Sequence, residues 1–316
     1  MKKSIRLFAV AATRTCHFYL HLYKRKLTLL ILVFAFIGCS GPEAGVSFKL
    51  AQERREAISE LGYRLFFNLP EDPKAPIQAS QTIGFRLERP RLIILDFKED
   101  PAAVALVQVN GRQAKYRIKN EHIVIPRRYF KKDTNTITID FRAGEQSLNR
   151  NEEFLYTLLV PDRARTLFPC FDQPNLKASY TLTLELPVHW EAVSNTPPEQ
   201  EVLSGAWAQT AYLTTAEEAP TGAGRKRITF CPTEPLSTYL FSFVAGKFQR
   251  MTETRNGRSI SLYHRETDPQ KIAQTGIIFD QVYASLEWME EYTGIPYPFA
   301  KYDFIILPGF QYGGME

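Results

Sequence analysis

The chain has 316 residues, 44% of them hydrophobic and 13% aromatic, with a formal net charge of +5 at pH 7, which is ordinary for a globular protein. The charge is unevenly placed: residues 1–39 hold seven bases and no acid, which leaves 32 bases against 34 acids in the remainder. A basic, nucleic-acid-binding surface is therefore not indicated for the folded part.

Lys24-Arg25-Lys26 precede an apolar run from Leu27 to Gly38, and Cys39 follows it, ahead of Ser40-Gly41-Pro42. A basic stretch before a short apolar one is the pattern of a secretory signal. Its 12 residues are too few to span a bilayer comfortably, which takes about 20. Phe36-Ile37-Gly38-Cys39 resembles a bacterial lipobox, in which the cysteine becomes the lipidated first residue. The plainer alternative is ordinary cleavage beside an incidental cysteine; a small residue followed by Cys at the end of the apolar run favours lipidation. Each buried acyl CH₂ adds about 0.8 kcal/mol, so two or more long chains would hold the protein at a membrane. The expected location is the bacterial cell envelope, as a lipoprotein facing the periplasm or the cell surface. Residues 1–23 make a long lead for such a signal, and a start later than Met1 would shorten it.

Residues 40–62 read as a tether and lead-in, with a short charged helix over Gln52–Leu61. From about Tyr63 the pattern turns to strands. Leu92–Phe97 is an apolar run, interrupted only by Asp96, suited to a strand covered on both faces. Val104–Val109 leads into Asn110-Gly111, a strong hairpin signal, answered by Tyr116 and Ile118. His122–Ile125 and then Ile137, Ile139 and Phe141 continue the pattern; Leu182, Leu184 and Leu186 point one way and Thr181, Thr183 and Glu185 the other. Strands every 8–15 residues with turn signals between them predict a β-sandwich or a large curved sheet over residues 63–250. Arg225-Lys226-Arg227, after a glycine-rich turn, reads as a solvated loop. Beyond the leader only Cys170 and Cys231 remain, in apolar surroundings that suit buried free thiols better than a disulfide. None of the five histidines has a partner at a metal-ligand spacing.

Asp268-Pro269 supplies a helix cap and a first-turn proline. Ile272, Phe279, Val282, Leu286 and Met289 then recur at helical spacing, a core stripe, and Gly294 and Pro296 end the helix. An apolar strand follows over 302–307, and the chain closes on Tyr312-Gly313-Gly314-Met315-Glu316. Two adjacent glycines bare a piece of extended backbone to which another chain could bond, and a carboxylate just beyond could receive a peptide's terminal ammonium. A hairpin turn with a solvated glutamate is the plainer alternative. A second notable stretch, Ala164–Tyr180, is a loop with Pro169 and Pro174. Arg165, Asp172 and Lys177 could staple it as an ion-pair cluster, a better reading than Asp172 as an acid or base.

Three stretches resemble the zinc aminopeptidases related to aminopeptidase N: ARTLFPCFDQPNLKA from Ala164, LSTYLFSFVAGKF from Leu236, and GIPYPFAKYDFIILPGFQYGGME from Gly294. The last approaches that family's G-x-M-E-N exopeptidase motif and stops one residue short, at Glu316. The islands stand in the family's order over residues 164–316, whereas 63–163 match only in general character. The resemblance implies a mainly β fold: a large N-terminal β-sandwich or saddle-like domain (63–250), then the first helix and strand of a thermolysin-like α/β catalytic domain (251–316). It implies a zinc metallopeptidase acting on peptide substrates, with zinc on H-E-x-x-H and a later Glu. No H-E-x-x-H occurs in the sequence, so the chain as given is expected neither to hold zinc nor to hydrolyse peptides. It implies further that Glu316 pairs with the substrate ammonium, that Gly313 and Gly314 bond its backbone alongside Met315, and that Tyr312 lines the first side-chain pocket.

One departure stands out. Where the family has T-Q-F-E-P, with Gln and Glu facing the substrate's amino end, this chain has Thr157-Leu158-Leu159-Val160-Pro161. Losing one charged hydrogen bond costs about 1.5–3 kcal/mol, so amine recognition would lean on Glu316. Two other classes compete: a non-catalytic aminopeptidase-like surface scaffold, and a free-standing β module that binds peptides without cutting them. Solubility tests the second: a fragment with only one helix and one strand of a further domain is expected to expose Ile278, Phe279, Leu286 and Ile305 and to aggregate.

Overall fold

Helix α1 (Phe48–Ala57) starts where the extended Ser47 accepts a hydrogen bond from the Leu50 N–H at 3.3 Å, a favoured way to begin a helix. The computed structural model describes residues 42–204 and 224–310, and the elements named here lie in the unit formed by residues 44–316. The helix sits about one turn earlier than the sequence predicts. Ile58 and Leu61, expected inside it, are buried core residues of the first strand, which pairs Ile58 with Leu87 and Ser59 with Arg86.

In chain order the strands are β1 (Ile58–Asn68), β2 (Gln78–Leu87), β3 (Ile93–Asp96), β4 (Val104–Val109), β5 (Arg112–Gln113) and β6 (Arg117–Lys119). Next come β7 (His122–Ile125), β8 (Asp133–Arg142), β9 (Leu148–Arg150), β10 (Phe154–Thr157), β11 (Ser179–Pro187) and β12 (Glu191–Ser194). The remainder are β13 (Pro198–Ser204), β14 (Arg225–Phe230), β15 (Phe243–Gly246), β16 (Gln249–Arg255), β17 (Arg258–His264) and β18 (Tyr302–Ile305). The main sheet runs β13-β14-β11-β1-β2-β8-β4-β5, with β1 and β11 parallel. Smaller sheets run β12-β15-β10-β9, β3-β7-β6 and β16-β17-β18.

The fold is mainly β, as the strand periodicity predicts. Ile137, Ile139 and Phe141 of β8 and Leu182, Leu184 and Leu186 of β11 all turn into one core. The Phe67 ring of the main sheet lies 5.2 Å from Phe243 of the four-stranded sheet, and Phe141 lies 5.7 Å from Phe97, just past β3. Tyr63, Tyr180 and Phe241 stack with centroids 5.1 and 4.8 Å apart. Each such ring contributes about 1.5–3 kcal/mol on burial, plus about 0.5–1.5 kcal/mol for a well-placed aromatic pair. These contacts press the smaller sheets onto the large one as a sandwich.

The hairpin turn is where the sequence puts it: Asn110 and Gly111 have φ of 51° and 76°, as a two-residue turn of this kind requires. Its second arm is only β5, however. Ile118 lies in β6, which pairs with β7 in another sheet, and Tyr116 packs against the core. Arg225-Lys226-Arg227 is not a solvated loop but the start of β14, between β11 and β13. Lys226 is buried there, with Nζ 3.0 Å from Glu201. A run of three cations reads as solvent-facing in one dimension, and only the neighbouring strands supply the carboxylates that pair it.

The helix expected from Asp268 is broken into α2 (Pro269–Ile272) and α3 (Thr275–Thr293). Asp268 caps the first piece, its side chain accepting from the Gln270 N–H at 2.9 Å. Phe279 and Tyr283 of α3 are buried against Ile260 and Leu262 of β17, with Val282 and Leu286 beside them. Met289, placed by its spacing in the same stripe, is 48% exposed. None of the four residues expected at the surface is exposed: Phe279 is buried on β17 with Leu286 half-buried beside it, Ile278 is half-buried, and Ile305 packs half-buried against the cluster of Phe154, Tyr156, Val193, Phe248 and Tyr263. Among the described residues from α3 onward, the exposed large apolar ones are instead Ile277, Trp288, Met289, Tyr292, Ile295, Phe299 and Ile306. No helix among the described residues is long and apolar enough to cross a membrane.

Candidate functional site

Gly294 ends α3 in the left-handed conformation, φ 67°, with its N–H on the Glu290 carbonyl at 2.9 Å. Glycine adopts this backbone without the penalty other residues meet. The chain then turns through Pro296 and Pro298 and enters β18, parallel to β17 with Ile260 opposite Tyr302 and Tyr263 opposite Ile305. The Ile306 N–H continues the ladder to the Tyr263 carbonyl at 2.9 Å. After a bend at Gly309, φ 70°, Phe310 sets its ring edge-on to Tyr156, 5.5 Å between centroids.

That contact belongs to a separate apolar cluster. Phe154, Tyr156 and Val193 of the four-stranded sheet meet Phe248 and Tyr263, with Ile305, Leu307 and Phe310 packed against them. Glu153 adds an ionic tie here, pairing with Arg265 and, at 3.2 Å, with Lys247. The stretch leading toward the glycine pair is therefore seated on β10, the strand that runs into Leu158 and Val160. Tyr312, Gly313, Gly314, Met315 and Glu316 lie outside the described residues, as does Cys39. The role of Tyr156 and Phe310 is not readable from sequence, because they are 154 positions apart and each looks like an ordinary core aromatic.

On the β10 side the wall is apolar where the family resemblance would put polar groups. Leu158 is buried, its N–H bonded to the Ser147 carbonyl at 2.8 Å, and Val160 is half-buried. Thr157 is tied to β15, its Oγ1 accepting from the Phe243 N–H at 3.0 Å.

The Ala164–Tyr180 loop is held by a buried polar network that includes two of the three residues expected from sequence. The Arg165 N–H donates to Asp172 Oδ2 at 3.1 Å, and Thr238 Oγ1 donates to Asp172 Oδ1 at 2.8 Å. Lys177 is exposed and stands apart. Its place is taken by Arg54 of α1, which forks onto both oxygens of Asp96 at 2.6 and 2.8 Å. Asp96 also accepts the Asp172 N–H at 2.9 Å and lies 2.8 Å from His122 Nδ1. Burial pushes the Asp96 carboxyl upward, but Arg54, His122 and the Asp172 N–H overcome it and hold the group below its ordinary value. Asp172 goes the other way: burial raises it against the hydrogen bonds from Arg165 and Thr238. A carboxylate so enclosed is a staple, not a general acid or base open to substrate. Cys170, beside it, is a fully buried free thiol whose burial raises its pKa well above the ordinary value, which makes it inert. Cys231 is also free.

Among the described residues no group of three or more His, Cys, Asp or Glu side chains could hold a metal ion, so the residues present do not fit a catalytic zinc.

Residues 92–240 match the family model described as the Peptidase M1 N-terminal domain. The chain is 32% identical over 179 residues to the puromycin-sensitive aminopeptidase of Caenorhabditis elegans, covering 56% of this chain and 17% of that protein. It is 34% identical over 161 residues to the human endoplasmic reticulum aminopeptidase 1, covering 51% and 15%. Against aminopeptidase M1-B of rice it is 33% identical over 177 residues, covering 56% and 18%. The matched part is less than a fifth of each relative's length.

Proposed function

From the match of residues 92–240 to the Peptidase M1 N-terminal domain, we propose that the chain is the N-terminal portion of a membrane-anchored zinc aminopeptidase, which removes residues from the N-termini of peptides. The observation that carries this reading is the seating of β18 and Phe310 on β17 and Tyr156. It fixes the chain to a hydrogen-bonded sheet and to β10 as far as Phe310, three positions before Gly313, and a ledge for a peptide backbone needs such support. In this reading Glu316 pairs with the substrate's α-ammonium, Gly313, Gly314 and Met315 carry its backbone, and Tyr312 borders the first side-chain pocket. Zinc would be held by parts of the longer protein, since the residues here do not fit it. Cys39 carries the lipid that places the enzyme in the bacterial cell envelope.

The test uses the full-length protein with Ala-Ala-Phe and its N-acetylated form. Release of alanine from the free-amine peptide only, reduced about ten- to a hundred-fold in Glu316→Gln, is the expected result, the loss of one charge-assisted contact. Equal turnover of the two peptides would refute a dominant amine clamp at Glu316. Substituting Cys39→Ser should move the protein from the detergent phase to the aqueous phase on partitioning.

A second reading rests on Leu158 and Val160. Leu158 and Val160 themselves supply no side-chain acceptor for an ammonium, which favours a non-catalytic surface scaffold or a peptide-binding lipoprotein. A full-length protein that binds peptides, releases no amino acid and takes up no zinc would establish that alternative.

A further inference from the structure

Sheet β16-β17-β18 has two faces of different character. Ile260 and Leu262 turn toward α3, whereas Ser261 and Tyr263 turn the other way. That second face borders a cleft of about 450 Å³, closed on its far side by residues of β12, β13 and β14. The volume falls in the range of small-molecule sites, about 300–1,000 Å³. Tyr263, Tyr297 and Phe299 line it among the aromatic residues not committed to the main core or to the α3 face.

The charges around it are mostly paired. Glu201 and Glu191 face Lys226 Nζ at 3.0 and 3.9 Å, Lys301 faces Asp303 at 2.5 Å, and Arg258 faces Glu290 at 2.6 Å. Arg250 differs. Its guanidinium donates to Ser261 Oγ at 3.3 Å and lies 5.8 Å from the Tyr263 ring centroid, and among the described residues it takes part in no ion pair. It is also close enough to Lys301 to act on it: burial depresses the Lys301 ammonium, Asp303 opposes this, and the Arg250 charge adds to the depression. Lys301 thus holds Asp303, and Arg250 stands beside that pair with no carboxylate of its own among the described residues.

We propose that this cleft binds a small carboxylate with an aromatic or aliphatic body, its carboxylate paired with Arg250 beside Ser261 and its body against Tyr263, Tyr297 and Phe299. A guanidinium presents a planar fork matched to a carboxylate, and the rings supply the apolar contact that a free carboxylate ion lacks. The proposal uses only the lining of the cleft and does not depend on the peptidase reading.

Isothermal titration calorimetry on the full-length protein tests it, with N-acetylphenylalanine, N-acetylphenylalaninamide and phenyl phosphate as probes. The acid is expected to bind saturably, with the amide weaker by about tenfold or more, the loss of one charge-assisted bond. Arg250→Gln should bring the acid down to the level of the amide. Arg250 is exposed and spends no ion pair on the fold, so this variant should keep the wild-type melting curve; were it not to fold, the comparison of acid with amide on the wild type decides alone. Equal binding of acid and amide, an unchanged isotherm in Arg250→Gln, or no saturation would overturn the proposal and leave a water-filled seam. Phenyl phosphate binding tenfold tighter than the acid would overturn the choice of a carboxylate.

Discussion

Arg54 and Asp96 form a forked ion pair between side chains that are 5% and 0% exposed. Removing one partner of such a pair leaves an uncompensated buried charge, at a cost of about 3–5 kcal/mol. Asp96→Asn should therefore lower the unfolding free energy of the chain by about that amount, read from urea denaturation. The pH dependence follows from the directions of the two carboxyls. Asp96 is depressed in the folded state, so its contribution is fully present above the ordinary carboxylate value near 3.9 and is lost as pH falls through the lower folded value. Asp172 is raised, so its own contribution has the opposite sign and is lost as pH rises through its folded value. Melting temperature should drop on the acid side below about pH 4, and Asp96→Asn should flatten that drop. At this scale the sequence is only partly legible. The structural role of Asp172 follows from the loop chemistry of ARTLFPCFDQP, but Arg54 looks like one more solvated charge in QERREA, and Lys226 like one more in RKR. What decides both is a carboxylate brought up by a distant strand.

Helix α3 and the stretch after it show how an element is tuned to its neighbours. Gly294→Ala would place a Cβ in the left-handed region, which costs about 1–2 kcal/mol, and should lower the melting temperature while leaving the sheets intact by circular dichroism. Gly246 has a different reason to be glycine: a Cβ there would come within 2.6 Å of the Glu153 carbonyl oxygen and 2.5 Å of Phe154 Cβ. β15 pairs at this residue with Phe154 of β10 on one side and Glu191 of β12 on the other, so it has no room to move. Gly246→Ala should therefore cost more than Gly294→Ala in the same melt. Phe310→Ala should barely change stability, because the ring is only half-buried; on the proposed aminopeptidase reading it should nevertheless raise KM for a free-amine peptide in the full-length protein, by removing the contact with Tyr156. Helix ends and strand faces are readable because capping and alternation are local. The break at Ala273-Gln274, the short arm of the β4 hairpin and the transfer of Ile118 to another sheet are not, since each is set by packing between elements far apart in sequence.

For the whole molecule, the β-sandwich and its succession by a helix and a parallel strand are legible from periodicity and three motif islands. The surface left uncovered is not. Trp288 and Tyr292 stack 5.0 Å apart and are 59% and 75% exposed, close in the chain to Ile277, Met289 and Ile295. An apolar area of this kind draws a hydrophobic dye or a second molecule. The 316-residue chain should bind such a dye strongly, and the combined change of Ile277, Trp288 and Tyr292 to glutamine should abolish most of the signal without moving the melting temperature. The clamp on α1 has a different consequence, one of timing. A polypeptide made from its amino end releases Arg54 42 positions ahead of Asp96 and 119 ahead of Gln173, its third partner. Until those later residues emerge, the cation has nowhere to settle. This early-made helix is thus among the last elements to dock, and cutting into it past Ser47 removes a keystone rather than a leash.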